Sequence, residues 1–161
     1  MVRIITDSAA DVEPRELAEK LKKYDVISFD IFDTLIFRPF SAPTDLFYIV
    51  GERLNYMDFE QIRRQAEHEA RLKEYKKSGS YEVTLEQIYE EVELQTGISH
   101  DVGMKMEIDV ELECCMPNPY MFRVLELLRK EGKTIVCTSD MYLPEETINQ
   151  MLKNNEYNNR H

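Results

Sequence analysis

Apolar positions along this chain fall into two regimes. Short β-branched runs, Val2-Arg-Ile-Ile-Thr6, Val26-Ile-Ser-Phe29 and Thr134-Ile-Val-Cys-Thr138, read as strands, and the second ends at Asp30. Between the first two, Pro14 to Lys23 supplies good helix formers, with Pro14 tolerated in the first turn. Strand, helix and strand in about thirty residues predict a βαβ unit with a right-handed crossover. From Pro43 to Met116 the pattern is helical only. Leu46, Ile49, Val50 and Leu54 keep a 3.6-residue spacing, and a second helix begins after Asp58 as N-cap, with Gln61 three residues on. Ser78-Gly-Ser80 breaks that helix. Thr84-Leu-Glu-Gln87 reads as a capping box ahead of Leu85, Ile88, Tyr89 and Val92, and Thr96-Gly97 ends the run. A further helix is expected over Asp101 to Cys114, with Gly103 weakening its start.

The α/β pattern then returns. Asn118 is the expected N-cap and Pro119 the first helical residue of a segment whose apolar face is Met121, Val124, Leu125 and Leu128. Gly132 is placed to stop it. A polar turn at Ser139-Asp140 follows the third strand, and a last helix runs from near Pro144 to about Lys153. The layout is β-α-β, a helical insertion, then α-β-α. It predicts an α/β core from residues 1–40 and 117–161, with a helical segment inserted over 41–116. Parallel strands need both faces covered and three are few for a stable sheet, so unsatisfied edges are expected to favour a homodimer or element swapping.

Composition narrows the function classes. A hydrophobic content of 43% with 32% charged residues is that of a folded chain. A net charge of −11 argues against a nucleic-acid surface and against anionic membranes. Arg63, Arg64, Arg71, Lys73, Lys76 and Lys77 cluster, but acids alternate with them, so they read as a solvated helix face. Cys114, Cys115 and Cys137 offer no C-x-x-C spacing, which leaves neither a disulfide framework nor a structural zinc site. Cys137 reads as a small core residue of the third strand. No apolar run approaches the ~20 residues of a membrane span, and the first residues lack a secretory layout. A cytoplasmic setting is the expectation. His68, His100 and His161 are isolated, and Tyr48, Tyr56, Tyr75, Tyr81 and Tyr89 either line a substrate pocket or pack the helical insertion.

Two strand ends hold the candidate chemistry, because ligands of open α/β sheets bind beyond the carboxyl ends of strands. At the first, Phe29-Asp-Ile-Phe-Asp-Thr-Leu35, a carboxylate after a buried run faces the crevice, where it can act as a nucleophile or ligate Mg²⁺. At the second, Cys137-Thr-Ser-Asp-Met-Tyr-Leu143, a hydroxyl between strand and helix can hydrogen-bond a phosphate oxygen. Ser28-Phe-Asp-Ile-Phe-Asp-Thr-Leu-Ile36 resembles the first signature of the haloacid dehalogenase (HAD)-like hydrolases, and Ser139-Asp-Met-Tyr-Leu-Pro144 resembles the second, in a form found in a predicted-hydrolase branch. The helical stretch between them is similar to the cap that this superfamily inserts after the first strand. The resemblance covers about residues 24–153.

What the resemblance implies is a truncated Rossmann-like, three-layer core with a helical cap that excludes water and selects a small phosphorylated substrate. It makes Asp30 the nucleophile and a Mg²⁺ ligand, the backbone carbonyl of Phe32 a second ligand, and Ser139 the holder of the phosphoryl group. Thr138 takes that role if the strand ends one residue earlier, and Thr34 supports the loop after the nucleophile. The departures are as informative. The superfamily's phosphatases carry a general acid two positions after the nucleophile, where this chain has Phe32. Asp33 lies one further on, and can replace it only if the backbone turns there. Dehalogenase-like members also lack that acid. The late lysine and acidic signatures have no counterpart after Ser139, where Lys153 reads as a helix-end residue, so the chain looks truncated. Thr6-Asp-Ser-Ala-Ala-Asp11 resembles the fourth signature and would make Asp7 a metal ligand, whereas residues 1–21 resemble the start of DegV-type fatty-acid-binding proteins. Asp140 reads as a helix cap. Two functions stay open: a Mg²⁺-dependent phosphatase-type hydrolase, and a catalytically incomplete remnant or interaction module.

Overall fold

The computed structural model describes residues 2–5 and 12–155. They divide into two compact units, one formed by the described residues of 2–5, 12–39, 115–140 and 152–155, the other by residues 40–114 and 141–151.

The first unit is α/β around a short parallel sheet. Strands β1 (Val2–Ile5), β2 (Val26–Asp30) and β5 (Thr134–Thr138) pair in the order β1-β2-β5. The register aligns Val26 with Thr134 and Asp30 with Thr138, so the two strands end level with one another. Central β2 is buried on both faces, as a parallel strand must be: Ile27 and Phe29 fully on one, and Ser28 nearly so on the other. Helices α1 (Pro14–Leu21) and α6 (Pro119–Lys130) pack on one another through faces that bury Ala18 and Leu21 on α1 and Met121, Val124, Leu125 and Leu128 on α6. Both connections run in one direction across the sheet, from β1 to β2 to β5, and connections of the same hand then place their helices on the same face. The α6 start is as expected: Asn118 Oδ1 accepts from the amides of Tyr120 (3.1 Å) and Met121 (3.3 Å), with Pro119 at the first helical position.

A two-residue ribbon escapes the sequence pattern. Strands β3 (Ile36–Phe37) and β4 (Met116–Pro117) pair antiparallel, so the chain leaves for the second unit and returns from it along adjacent strands. Pairs this short carry no period-2 signal.

The second unit is helical. After a 3-10 turn (Pro43–Asp45) come α2 (Leu46–Arg53), α3 (Phe59–Ser78), α4 (Leu85–Thr96) and α5 (His100–Cys114). The capping box at Thr84 and Gln87 forms, and Gly97 ends α4 in a left-handed conformation at φ 75°. Asp58 does precede α3, but it sits at φ 59° and makes no side-chain cap hydrogen bond. Residues 141–151, expected with the α/β core, cluster instead with the helices; they include most of α7 (Glu145–Asn154).

The helical core is built around a charge. Arg63 is fully buried rather than part of a solvated face, because it shares the inward side of α3 with Phe59, Ala66 and Ala70. Its Nε and Nη2 donate to the two carboxylate oxygens of fully buried Glu107 at 2.7 and 3.0 Å, and Nη1 donates to Glu67 at 3.1 Å. The Tyr89 hydroxyl donates to Glu107 as well, at 2.7 Å. A hydrogen bond from each guanidinium nitrogen to a carboxylate is what makes such a buried pair tolerable. Gly103 does not interrupt α5. A Cβ there would come within 2.5 Å of Tyr89 Cε1, so the glycine admits the ring whose hydroxyl reaches Glu107 one turn later.

Candidate functional site at the carboxyl ends of β2 and β5

Asp30 closes β2, where the sheet ends and the apolar run gives way to a turn. Its carboxylate is half-buried, and Oδ1 accepts the following amide, Ile31 N–H, at 2.9 Å. Burial raises the carboxyl above its ordinary pKa, the Ile31 amide opposes that rise, and the negative charges of Asp140 and then Asp33 add to it. The charges of Asp140 and Asp33 therefore both act on Asp30 at this strand end.

The turn that follows delivers Asp33. Leu35 and Ile36 both donate to Ile31 O, at 2.8 and 3.0 Å, and Asp33 N–H donates to Ile36 O at 2.9 Å. Asp33 itself adopts φ 57° and is exposed. The alternation of extended chain is broken at this residue, which is the condition for Asp33 rather than Phe32 to serve the Asp30 carboxylate. Phe32 is buried, with the Arg38 guanidinium 4.5 Å from its ring centre. Thr34 is fully buried. Its carbonyl accepts from Asn118 Nδ2 at 2.8 Å, while its Oγ1 has no hydrogen-bond partner. Asn118 N–H also donates to Leu35 O at 2.7 Å, so one asparagine caps α6 and holds the loop after Asp30.

On β5, Thr138 lies directly across from Asp30, and Ser139 is the next residue, exposed beyond the strand. Thr138 Oγ1 is engaged within the sheet, 3.3 Å from Ser28 Oγ and donating to Phe29 O at 3.4 Å. That leaves Ser139 as the hydroxyl at the mouth. Asp140 is not a helix cap, since α7 begins only at Glu145; its charge acts on Asp30 instead. The acid was visible after the third strand, but only the strand register tells which partner it faces. Cys137 is exposed rather than a core residue, because β5 is an edge strand among those described.

Asp7 lies outside the described residues. Among the described residues no three His, Cys, Asp or Glu side chains form a ready metal cage. The donor chemistry at Asp30 and Asp140 nonetheless suits Mg²⁺, which binds through one or two carboxylates and keeps most of its water. The tyrosines divide. Tyr48 and Tyr56 line a cavity of about 550 Å³ within the helical unit, Tyr75 and Tyr81 stack with ring centres 4.4 Å apart, and Tyr89 is buried on Glu107.

Fold and site together define an α/β chain, mostly helical, whose short parallel sheet gathers aspartates and a serine at its carboxyl ends. No protein-family model matches it, and no curated protein does. No helix among the described residues is long and apolar enough to cross a membrane.

Proposed function

We propose that the chain is a HAD-like, Rossmann-type hydrolase core of the phosphatase kind, acting on a small phosphorylated molecule. The observation that carries this reading is the register: β2 and β5 are adjacent and parallel, and end level at Asp30 and Thr138, which sets Ser139 beside the same mouth. Asp30 Oδ2 attacks phosphorus, the bond from phosphorus to the leaving oxygen breaks, and that oxygen takes a proton from the Asp33 carboxyl. Water then attacks the aspartyl phosphate, returns a proton to Asp33, releases inorganic phosphate and restores Asp30. Ser139 donates to a phosphoryl oxygen throughout. Asp30 and Asp140, with the Phe32 carbonyl, would hold Mg²⁺, which when bound neutralises the phosphoryl charge.

A second reading is a remnant that keeps the fold without the chemistry. It is favoured by the lack, among the described residues, of a third acidic or histidine ligand near Asp30. Hydrolysis of an aryl phosphate in the presence of Mg²⁺ decides between them. The hydrolase reading expects turnover that falls on the order of a thousandfold or more in Asp30→Asn and is strongly reduced in Ser139→Ala. Absence of Asp30-dependent turnover leaves the remnant.

A further inference from the structure

The turn after Asp30 holds a conformation that residues other than glycine disfavour: Asp33 is left-handed, at φ 57°. Bonds within the turn give it its shape, from the Leu35 and Ile36 amides to Ile31 O and from Asp33 N–H to Ile36 O. Asn118 fixes its place from outside. Asn118 Nδ2 donates to Thr34 O at 2.8 Å and Asn118 N–H to Leu35 O at 2.7 Å, so two successive carbonyls of the turn rest on one residue. Asn118 directly follows β4, which pairs with β3, the strand into which the turn leads. Its Oδ1 accepts from the Tyr120 and Met121 amides at the start of α6, and α6 is seated by four buried apolar side chains. A single side-chain amide thus spans helix and turn, oxygen to the one and nitrogen to the other. Turn, ribbon and helix all belong to the first unit.

We infer that Asn118 is a positioning residue for Asp33: its amide ties the turn that carries this carboxyl to the start of α6, and so sets where the carboxyl stands relative to Asp30. The two clamped carbonyls belong to the residues immediately after Asp33, which leaves its backbone little freedom. The charge of Asp33 is felt at Asp30, so the two side chains share one neighbourhood. Proton transfer needs the carboxyl within hydrogen-bond reach of the leaving oxygen, and a small displacement forfeits it. Loss of the tie lets the turn exchange its left-handed residue for a relaxed one and carries the carboxyl away. The proton-transfer part of the inference rests on the hydrolase reading; the clamp does not.

Asn118→Ser separates the two ends of the amide. A serine oxygen caps a helix about as well as that of asparagine, while nothing replaces Nδ2 on Thr34 O. Asn118→Ala removes both. Amide hydrogen exchange on the full chain is expected to run roughly fivefold or more faster at Asp33, Leu35 and Ile36 in either variant, as fits one lost hydrogen bond. Tyr120 and Met121 should exchange faster in Asn118→Ala alone. Where Asn118→Ala does not fold, Asn118→Ser carries the test by itself. Kinetics with Mg²⁺ use phenyl phosphate, whose leaving oxygen needs a proton, and p-nitrophenyl phosphate, whose anion leaves without one. In Asn118→Ser, kcat/KM should fall several-fold more on the first ester than on the second. Unchanged exchange in the turn, or exchange equally faster at Tyr120 and Met121 in Asn118→Ser, overturns the clamp. Equal losses on the two esters overturn the placing of Asp33. A wild-type chain that hydrolyses neither ester removes the hydrolase reading and the proton-transfer part with it, while exchange still decides the clamp.

Discussion

At the scale of single residues, Asp30 sits where stability and chemistry pull apart. Its carboxyl is raised by burial and by Asp140 and Asp33, so the folded chain binds that proton more tightly than the unfolded chain does. In the pH window from the ordinary carboxyl value up to the raised one, the folded state therefore holds more protons, and stability falls as pH rises through it. Below the window the two states are alike, and above it the full penalty stands. Asp30→Asn removes that penalty, and is expected to raise the melting temperature at pH 7 while losing its advantage below about pH 3. Differential scanning of the two proteins from pH 3 to 8 measures this, and equal melting temperatures at neutral pH contradict it. Added Mg²⁺ should raise the melting temperature of the wild type more than that of the variant, because a cation relieves the same repulsion.

At the scale of elements, Gly103 shows how α4 and α5 come together. Replacing it with Ala improves helix propensity by about 1 kcal/mol, yet puts a methyl 2.5 Å from Tyr89 Cε1, on a ring pinned by its bond to Glu107. Overpacking of that kind costs about 1–3 kcal/mol, so Gly103→Ala is expected to lower stability by up to about 2 kcal/mol net, read by urea denaturation; a gain in stability refutes the close approach. This glycine also marks the limit of what the chain pattern reveals. A 3.6-residue period locates α5 and a β-branched run locates β2, because each reflects local burial. The period says nothing of which side chain a glycine makes room for. Arg63 looked solvated for the same reason: its neighbours in sequence are charged, and its partners Glu107, Tyr89 and Tyr142 lie far along the chain. At the site, Asp30 and Ser139 were legible as strand ends. The turn at Asp33 and the charge of Asp140 were not, since both depend on a backbone conformation and a register that pattern alone does not encode.

At the scale of the whole molecule, the outstanding term is a sheet edge that no described strand covers. β5 pairs with β2 on one side only among the described strands, and Val136 is 42% exposed. Edge strands are ordinarily blunted by lysine, proline or a bulge. The run Thr134–Thr138 has no charged residue and no proline, and no described strand pairs with its outer side, so that side can take another strand. A second copy is the natural occupant, because antiparallel pairing about a twofold axis lets one edge satisfy itself. The charge of −11 opposes that approach, and salt screens the repulsion. Sedimentation is therefore expected to show a dimer that grows with protein concentration and with ionic strength. Val136→Lys should return the chain to monomer with its stability changed by less than about 0.5 kcal/mol, as befits an exposed position. In a Cys137→Ser background, Val136→Cys should cross-link two chains under mild oxidation, since residues facing each other across an antiparallel pair lie about 4.5–5.5 Å apart at Cα. A monomer at every concentration and salt, with no cross-link, removes the pairing; a large loss of stability in Val136→Lys shows instead that β5 is covered by the chain itself.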